Sequence, residues 1–244
     1  MKSKFVFAAL VLSAGVAFAK DVTTSYTMGA MPLAVEAGDT IINVPWIEAG
    51  SESEGIAVSN IVKTATLTVG DYLLWYTGSS SNYNGWVLAE SGGIKYWEAI
   101  NTVSRRNGVT VVPSAVPALN RGDALILHSQ NATNIYIVGQ YSNSSTKTTI
   151  SQGYNLLAPP IYSDGVDLND YTWASAGAGD RIIMPDGTGF VYDATRGWGK
   201  NSLIKGKDSW TWEFTEAAYG AMTITAGSGF WYEKKSGEPF DLEW

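Results

Sequence analysis

The 244-residue sequence contains no cysteine and one histidine, His128. Without cysteine there is no disulfide framework, so the fold must rest on apolar burial in a chain long enough to supply a core. A lipid anchor carried on cysteine is excluded for the same reason. One histidine removes the common histidine-based triads and nearly all zinc geometries. His128 follows directly on Leu125-Ile126-Leu127 and reads as a strand-end residue. Charge is also scarce, at 16% of residues with a net of −7. The longest basic stretches are the pairs Arg105-Arg106 and Lys234-Lys235. No basic stripe offsets the repulsion between an acidic chain and phosphate, so nucleic acid is not expected as a partner.

Long apolar runs are missing except at the start. Lys2 and Lys4 precede the apolar run from Phe5 to Val16, and Ala17-Phe18-Ala19 has the small-x-small form of a secretory cleavage site. Residues 1–19 therefore read as a signal peptide cut before Lys20. A run of about twelve apolar residues falls short of the roughly 20 that a spanning helix needs. No spanning helix is expected later in the chain. Loss of Lys2 and Lys4, with no acid, moves the formal charge from −7 to −9.

What is abundant is aromatic and β-forming. The chain has 10 Trp and 13 Tyr and is 45% apolar. Apolar clusters of three to five residues, rich in Ile, Val, Tyr, Trp and Thr, recur between turn signals and predict short strands throughout. Asn84-Gly85, Asn107-Gly108 and Asp186-Gly187 predict hairpin turns. A Gly-Asp pair stands before Thr40, Tyr72, Ala124 and Arg181 and predicts a turn opening a buried strand. Leu73-Leu74-Trp75-Tyr76 and Phe230-Trp231-Tyr232 are apolar without alternation, which predicts cover on both faces. No helix is expected beyond the leader.

Five blocks repeat in order. Glycines 38, 55, 70, 85 and 122 match glycines 153, 165, 179, 189 and 227, at offsets of 115, 110, 109, 104 and 105. Collinear blocks of this kind predict an internal duplication. The expected architecture is all-β: two homologous halves of short strands, residues 20–136 and 137–244, forming β-sandwich or barrel-like units related by a pseudo-two-fold. The polar stretch from Tyr141 to Lys147 reads as the joint.

Candidate functional residues are few. Tyr83, Trp86, Tyr96 and Trp97 in the first half, and Tyr192, Trp198, Trp210 and Trp212 in the second, sit beside turns where flat rings could hold a sugar. Tyr83, Trp86, Trp97, Trp198 and Trp210 are the ligand-binding candidates. Asp164, Asp167 and Asp170 form an acidic cluster able to offer oxygen ligands to calcium, although a solvated loop explains it as well. Otherwise no cofactor is expected. Glu90, Glu98, Asp193 and Glu233 leave two-carboxylate glycan chemistry formally open. Arg121-Gly122-Asp123 is read as one more Gly-Asp turn, not as an adhesion motif. The closing Phe240-Asp241-Leu242-Glu243-Trp244 is similar to the terminal assembly signal of outer-membrane β-barrels, but the short strands fit that architecture poorly.

The blocks Gly153-Tyr154-Asn155-Leu156-Leu157-Ala158-Pro159-Pro160 and Ala226-Gly227-Ser228-Gly229-Phe230-Trp231-Tyr232 resemble motifs of β-rich repeat modules in uncharacterised families of secreted Gram-negative proteins. The resemblance implies fold and export, to the extracellular space, cell surface or periplasm, and no catalytic residue. The reading is a non-enzymatic secreted or cell-surface protein with a structural or interaction role in the envelope or matrix. Its partner would be a glycan or an envelope protein. The alternatives are a carbohydrate-binding module and an outer-membrane β-barrel.

Overall fold

Strand-forming clusters bounded by glycine turns organise the chain into antiparallel sheets. The computed structural model describes residues 28–46, 57–76, 82–106, 109–111, 119–142, 145–160, 165–173, 175–207 and 209–244. The predicted leader, Asp164 and the Asn107-Gly108 turn lie outside the described residues.

The first half comprises β1 (Met28–Val35), β2 (Gly38–Asn43), a single helical turn α1 (Val58–Ile61), β3 (Tyr72–Tyr76), β4 (Asn82–Ser91), β5 (Ile94–Ala99), β6 (Ser104–Arg106), β7 (Val109–Val111), β8 (Ala124–Ser129) and β9 (Thr133–Gln140). The second comprises β10 (Lys147–Ile150), β11 (Gly153–Leu157), β12 (Val166–Asp167), a 3-10 turn (Leu168–Asp170), β13 (Arg181–Ile183), β14 (Gly189–Asp193), β15 (Gly197–Lys205), β16 (Trp210–Glu216), β17 (Thr223–Ile224), β18 (Phe230–Lys234) and β19 (Phe240–Glu243). The two short helical turns are additions to the all-strand expectation.

Two large sheets dominate. One runs β2-β8-β3-β4-β7-β6 with β5 also on β4, the other β11-β18-β13-β14-β15-β16. Each faces a two-stranded ribbon, β1-β9 in the first half and β10-β19 in the second. Neither large sheet closes on itself among the described residues, so the layers are sandwich-like and not a barrel. β9 runs through positions 136 and 137 and pairs with β1 along its whole length.

Alternation along each strand decides the core. Ile42, Leu73, Trp86, Leu88, Leu125 and Leu127 of the first sheet pack with Met31, Val35, Ile135 and Ile137 of β1 and β9. Leu157, Ile182, Phe190, Trp198, Phe230 and Tyr232 do the same with Ile150 and Leu242. Each fully buried side chain of this size contributes about 1.5–3 kcal/mol. The first sheet is covered on both faces: Leu73 lies in the inner cluster, while its neighbour Leu74 packs outward with Tyr72, Ile100 and Val111.

Of the four Gly-Asp pairs, Gly38-Asp39 lies within β2 with Asp39 on His128, and the others form turns built alike. Gly70 and Gly179 have φ of +96° and +90°, which a side chain would strain. Asp71 and Asp180 then accept the backbone N–H three residues earlier, from Thr68 at 2.8 Å and Gly177 at 2.9 Å. Each also accepts a backbone N–H from just past the neighbouring strand, Gln130 at 2.9 Å and Lys235 at 2.8 Å. Asp123 of the Arg-Gly-Asp tripeptide takes the same role, accepting from Asn120 N–H at 2.7 Å.

Asp186-Gly187 forms the expected turn between β13 and β14, with Gly187 N–H donating to Met184 at 2.9 Å. Asn84-Gly85 does not form a turn; it lies inside β4. A Cβ on Gly85 would sit 3.1 Å from Ile100 Cδ1, Leu74 Cδ2 and Leu73 O. The glycine there serves close packing and not a bend. The C-terminal segment is an ordinary paired strand: β19 lies on β10, and Trp244 Nε1 donates to Thr148 Oγ1 at 3.0 Å.

The halves meet through backbone and rings. Asn43 N–H donates to Gly227 O at 2.9 Å, and its side-chain amide donates to Pro159 O at 2.8 Å. Tyr76 of the first sheet meets Trp231 of the second edge-on, with centroids 5.2 Å apart.

Candidate functional site

The second sheet has one face covered by β10 and β19; on the other, Trp231 of β18 packs against the first sheet, and β13 to β16 are open among the described residues. Strand register puts Ile182, Phe190 and Trp198 inward, and Arg181, Ile183, Gly189, Val191, Asp193 and Asn201 outward. Beyond Gly199 the strands β15 and β16 leave the core. Lys200 to Lys205 and Trp210 to Glu213 are exposed on both faces of a two-stranded ribbon. Trp210, Trp212 and Phe214 alternate along β16, so they share one face with their cross-strand partners Lys205, Leu203 and Asn201. Trp210 is 60% and Trp212 67% exposed.

The base of the ribbon is anchored by a stack. Phe214 lies on Gly199, where a Cβ would stand 2.2 Å from the ring. The Arg196 guanidinium sits 4.0 Å over the same ring and pairs with Asp193 at 2.9 Å. The Arg196 side chain first, then the backbone N–H groups of Thr195 and Arg196, hold the Asp193 carboxyl down to about 2.

Two hollows flank Trp212 on this open face. One, of about 550 Å³, is lined by Arg181, Ile183, Gly187, Gly189, Asn201 and Trp212 among others. The other, of about 380 Å³, is lined by Gly179, Asp193, Arg196, Asn201, Trp212 and Phe214 among others. They share Val191, Asn201 and Trp212 and so form one trough. A cleft of about 480 Å³ between the sheets, with Asp39, Ile41 and Ile126 on one side and Met184 and Trp231 on the other, shares Ile183 and Gly187 with the larger hollow.

A second polar group stands on the outer face of the first sheet. Asp39 Oδ1 lies 2.7 Å from His128 Nδ1, His128 stacks on Tyr72 at 4.5 Å, and the Arg106 guanidinium lies 5.4 Å from the Tyr72 centroid. The buried Tyr72 hydroxyl has no hydrogen-bond partner among the described residues. Burial first, then the charge of Asp39, against the opposing effect of Arg106, pushes this phenol up to about 12.

The sequence candidates divide sharply. Tyr83, Trp86, Trp97 and Trp198 are buried. Trp86 and Trp97 are core residues, with Trp97 Nε1 donating to Val62 O at 3.1 Å, and Trp198 packs against Trp173 and Tyr232. These four rings have no face to offer a ligand. Trp210 alone of the five is open to solvent, and Trp212 beside it is more so. The trough residues Arg181, Asn201 and Phe214 were not singled out by sequence. The signal that could have found them is the period-two pattern Trp210-x-Trp212-x-Phe214, unlike the continuous apolar runs of the core strands.

Within the acidic cluster, the Asp167 carboxylate is engaged by backbone. Asp167 accepts the N–H groups of Asn169, at 2.9 Å, and of Gly220, while Asp170 is exposed. Among the described residues, no three His, Cys, Asp or Glu side chains are grouped as metal ligands. Of the carboxylates considered for glycan chemistry, Asp193 is paired with Arg196, and Glu233 with Lys235 and Arg181. Glu90 and Glu98 stand on the first sheet, away from both. Comparison with protein-family models, with curated proteins and with solved structures finds no match.

Proposed function

We propose that this is a non-enzymatic secreted or cell-surface protein that acts as an interaction module in the envelope or extracellular matrix, through the open face and ribbon of its second sheet. The observation that carries this is the concentration of Leu203, Ile204, Trp210 and Trp212 on a ribbon exposed on both sides. Isolated exposed apolar residues are ordinary, but contiguous aromatic ones on a projecting element mark contact surfaces. Two copies of one ancestral unit would account for the like order β2-β8-β3-β4 and β11-β18-β13-β14 in the large sheets and the like construction of the Asp71 and Asp180 turns. On that view β15 and β16 extend the second copy beyond the common body.

The test is adhesion of the purified protein to washed cell envelopes and isolated extracellular matrix. A variant carrying Leu203→Ser, Trp210→Ser and Trp212→Ser should keep its Tm and lose at least tenfold in retention. Retention equal to that of the unaltered protein sinks the proposal.

A further inference from the structure

We infer that the trough beside Trp212 binds a neutral polysaccharide, with the indole as the platform for a pyranose ring and the Asn201 amide hydrogen-bonding its hydroxyls. This rests on the reading of the open face as the contact surface and names its ligand class.

Three features of the trough support this. Its floor is low: a Cβ on Gly187 would meet nothing within 4 Å, and one on Gly189 only Ile182 O at 4.0 Å. A flat ring can therefore approach the sheet backbone there. Its wall is the exposed Trp212, which presents apolar area for the C–H face of a sugar while polar groups stand at the sides. The charged residues that line it are each engaged: Asp193 pairs with Arg196, and Arg181 with Glu233, which Lys235 also contacts. A polyanion finds no lining cation without a carboxylate beside it, and a polycation no lining carboxylate without a cation. Matched ion pairs and an amide can still donate to and accept from hydroxyl groups. The combined hollows fall in the size range of ordinary ligand sites, and their lining mixes polar and apolar groups as a sugar's own surface does. An apolar peptide laid along β16 would instead use the strand edge and leave the floor glycines untouched.

The experiment is affinity electrophoresis and calorimetry on the full chain, with soluble glucan, mannan, xylan and galactan as neutral probes and polygalacturonate as the acidic one. At least one neutral polymer should bind, with little change on raising salt. Trp212→Ala should weaken that binding tenfold or more, and Gly189→Thr should weaken it by filling the floor. Tyr219→Ala, at an exposed ring outside both the trough and the ribbon, should stay within about twofold. Gly189 lies in a strand without positive φ, so threonine suits the backbone. Unchanged Tm values show that the variants fold. Binding to polygalacturonate alone, no binding to any neutral polymer, or unaltered affinity in both trough variants overturns the inference. If the neutral polymers fail while the triple ribbon variant still loses adhesion, the contact surface survives and its ligand class does not.

Discussion

Tyr232 donates its hydroxyl to Asp180 across 2.6 Å within the core of the second sheet, where both residues are fully buried. The same carboxylate accepts the N–H groups of Gly177 and Lys235, so one aspartate ties together a turn, a strand end and a core ring. Removing it leaves the buried Tyr232 hydroxyl and two part-buried backbone N–H groups without that acceptor. Asp180→Ala should cost on the order of 3 kcal/mol or more, and Tyr232→Phe about 1–3 kcal/mol, in urea denaturation. Asp71→Ala should behave like Asp180→Ala. A loss below about 0.5 kcal/mol in either aspartate variant would contradict the hub role.

Alkaline pH should weaken the fold through its buried phenols, Tyr72 and Tyr232 foremost. Burial comes first in holding both up, Tyr72 to about 12 and Tyr232 well above its ordinary value. A group whose folded pKa is raised contributes stability that is whole below its unfolded pKa, about 10, and falls as pH rises above it. Stability should therefore be level to about pH 10 and decline beyond. Tyr72→Phe and Tyr232→Phe should each flatten that decline, and phenolate absorbance should show both among the late-titrating tyrosines, with Tyr76, Tyr83 and Tyr171 also raised by burial.

Asp193 titrates in the opposite sense. Its depressed value, about 2, means that the contact with Arg196 is complete above the ordinary aspartate range and is lost as pH falls toward 2. Carboxyl NMR should show a midpoint near 2 in the native protein. Arg196→Gln should move it toward the ordinary value of about 3.9.

Two glycine substitutions should fail for different reasons. Gly179→Ala introduces a Cβ with space around it, the nearest atom being Lys235 Cγ at 3.9 Å, so its cost is the φ of +90°. That amounts to about 1–2 kcal/mol of global stability. Gly199→Ala keeps an acceptable backbone but strikes the Phe214 ring at 2.2 Å and Thr215 O at 2.6 Å. It should loosen the base of the ribbon, seen as faster hydrogen exchange in β16 with slower exchange kept in β13 and β18.

Collisional quenching offers a direct check on which rings face water. Trp86, Trp97, Trp173 and Trp198 are buried, while Trp210 and Trp212 stand in solvent. The double variant Trp210→Phe, Trp212→Phe should lose most of the acrylamide-accessible fluorescence. Trp198→Phe should leave it nearly unchanged.

Much of the fold was legible because its rules are local. A Gly-Asp pair before an apolar cluster predicted turns at Gly70, Gly122 and Gly179, all of which have positive φ. Asp186-Gly187 followed the same chemistry. Asn84-Gly85 carried an equal signal and lies mid-strand, because the absence of a side chain served contact with Leu74 and Ile100. A dipeptide does not distinguish a bend from a close approach.

The aromatic site was legible only in part. Trp198 and Trp212 belong to adjacent strands, and both were read as candidates near turns. Trp198 faces the β10-β19 layer and disappears into the core, whereas Trp212 lies on the opposite face, past the point where any described residue covers the sheet. Composition, short strands, the Gly-Asp and Asp186-Gly187 turns and the lack of sulfur cross-links were determined by the sequence alone, since each depends on residues a few positions apart. Which rings meet solvent, which carboxylates are already engaged, and where a trough forms were decided by the packing of one layer on another. Alternation assigns side chains to two faces, and only the neighbouring layer determines which of the two is closed.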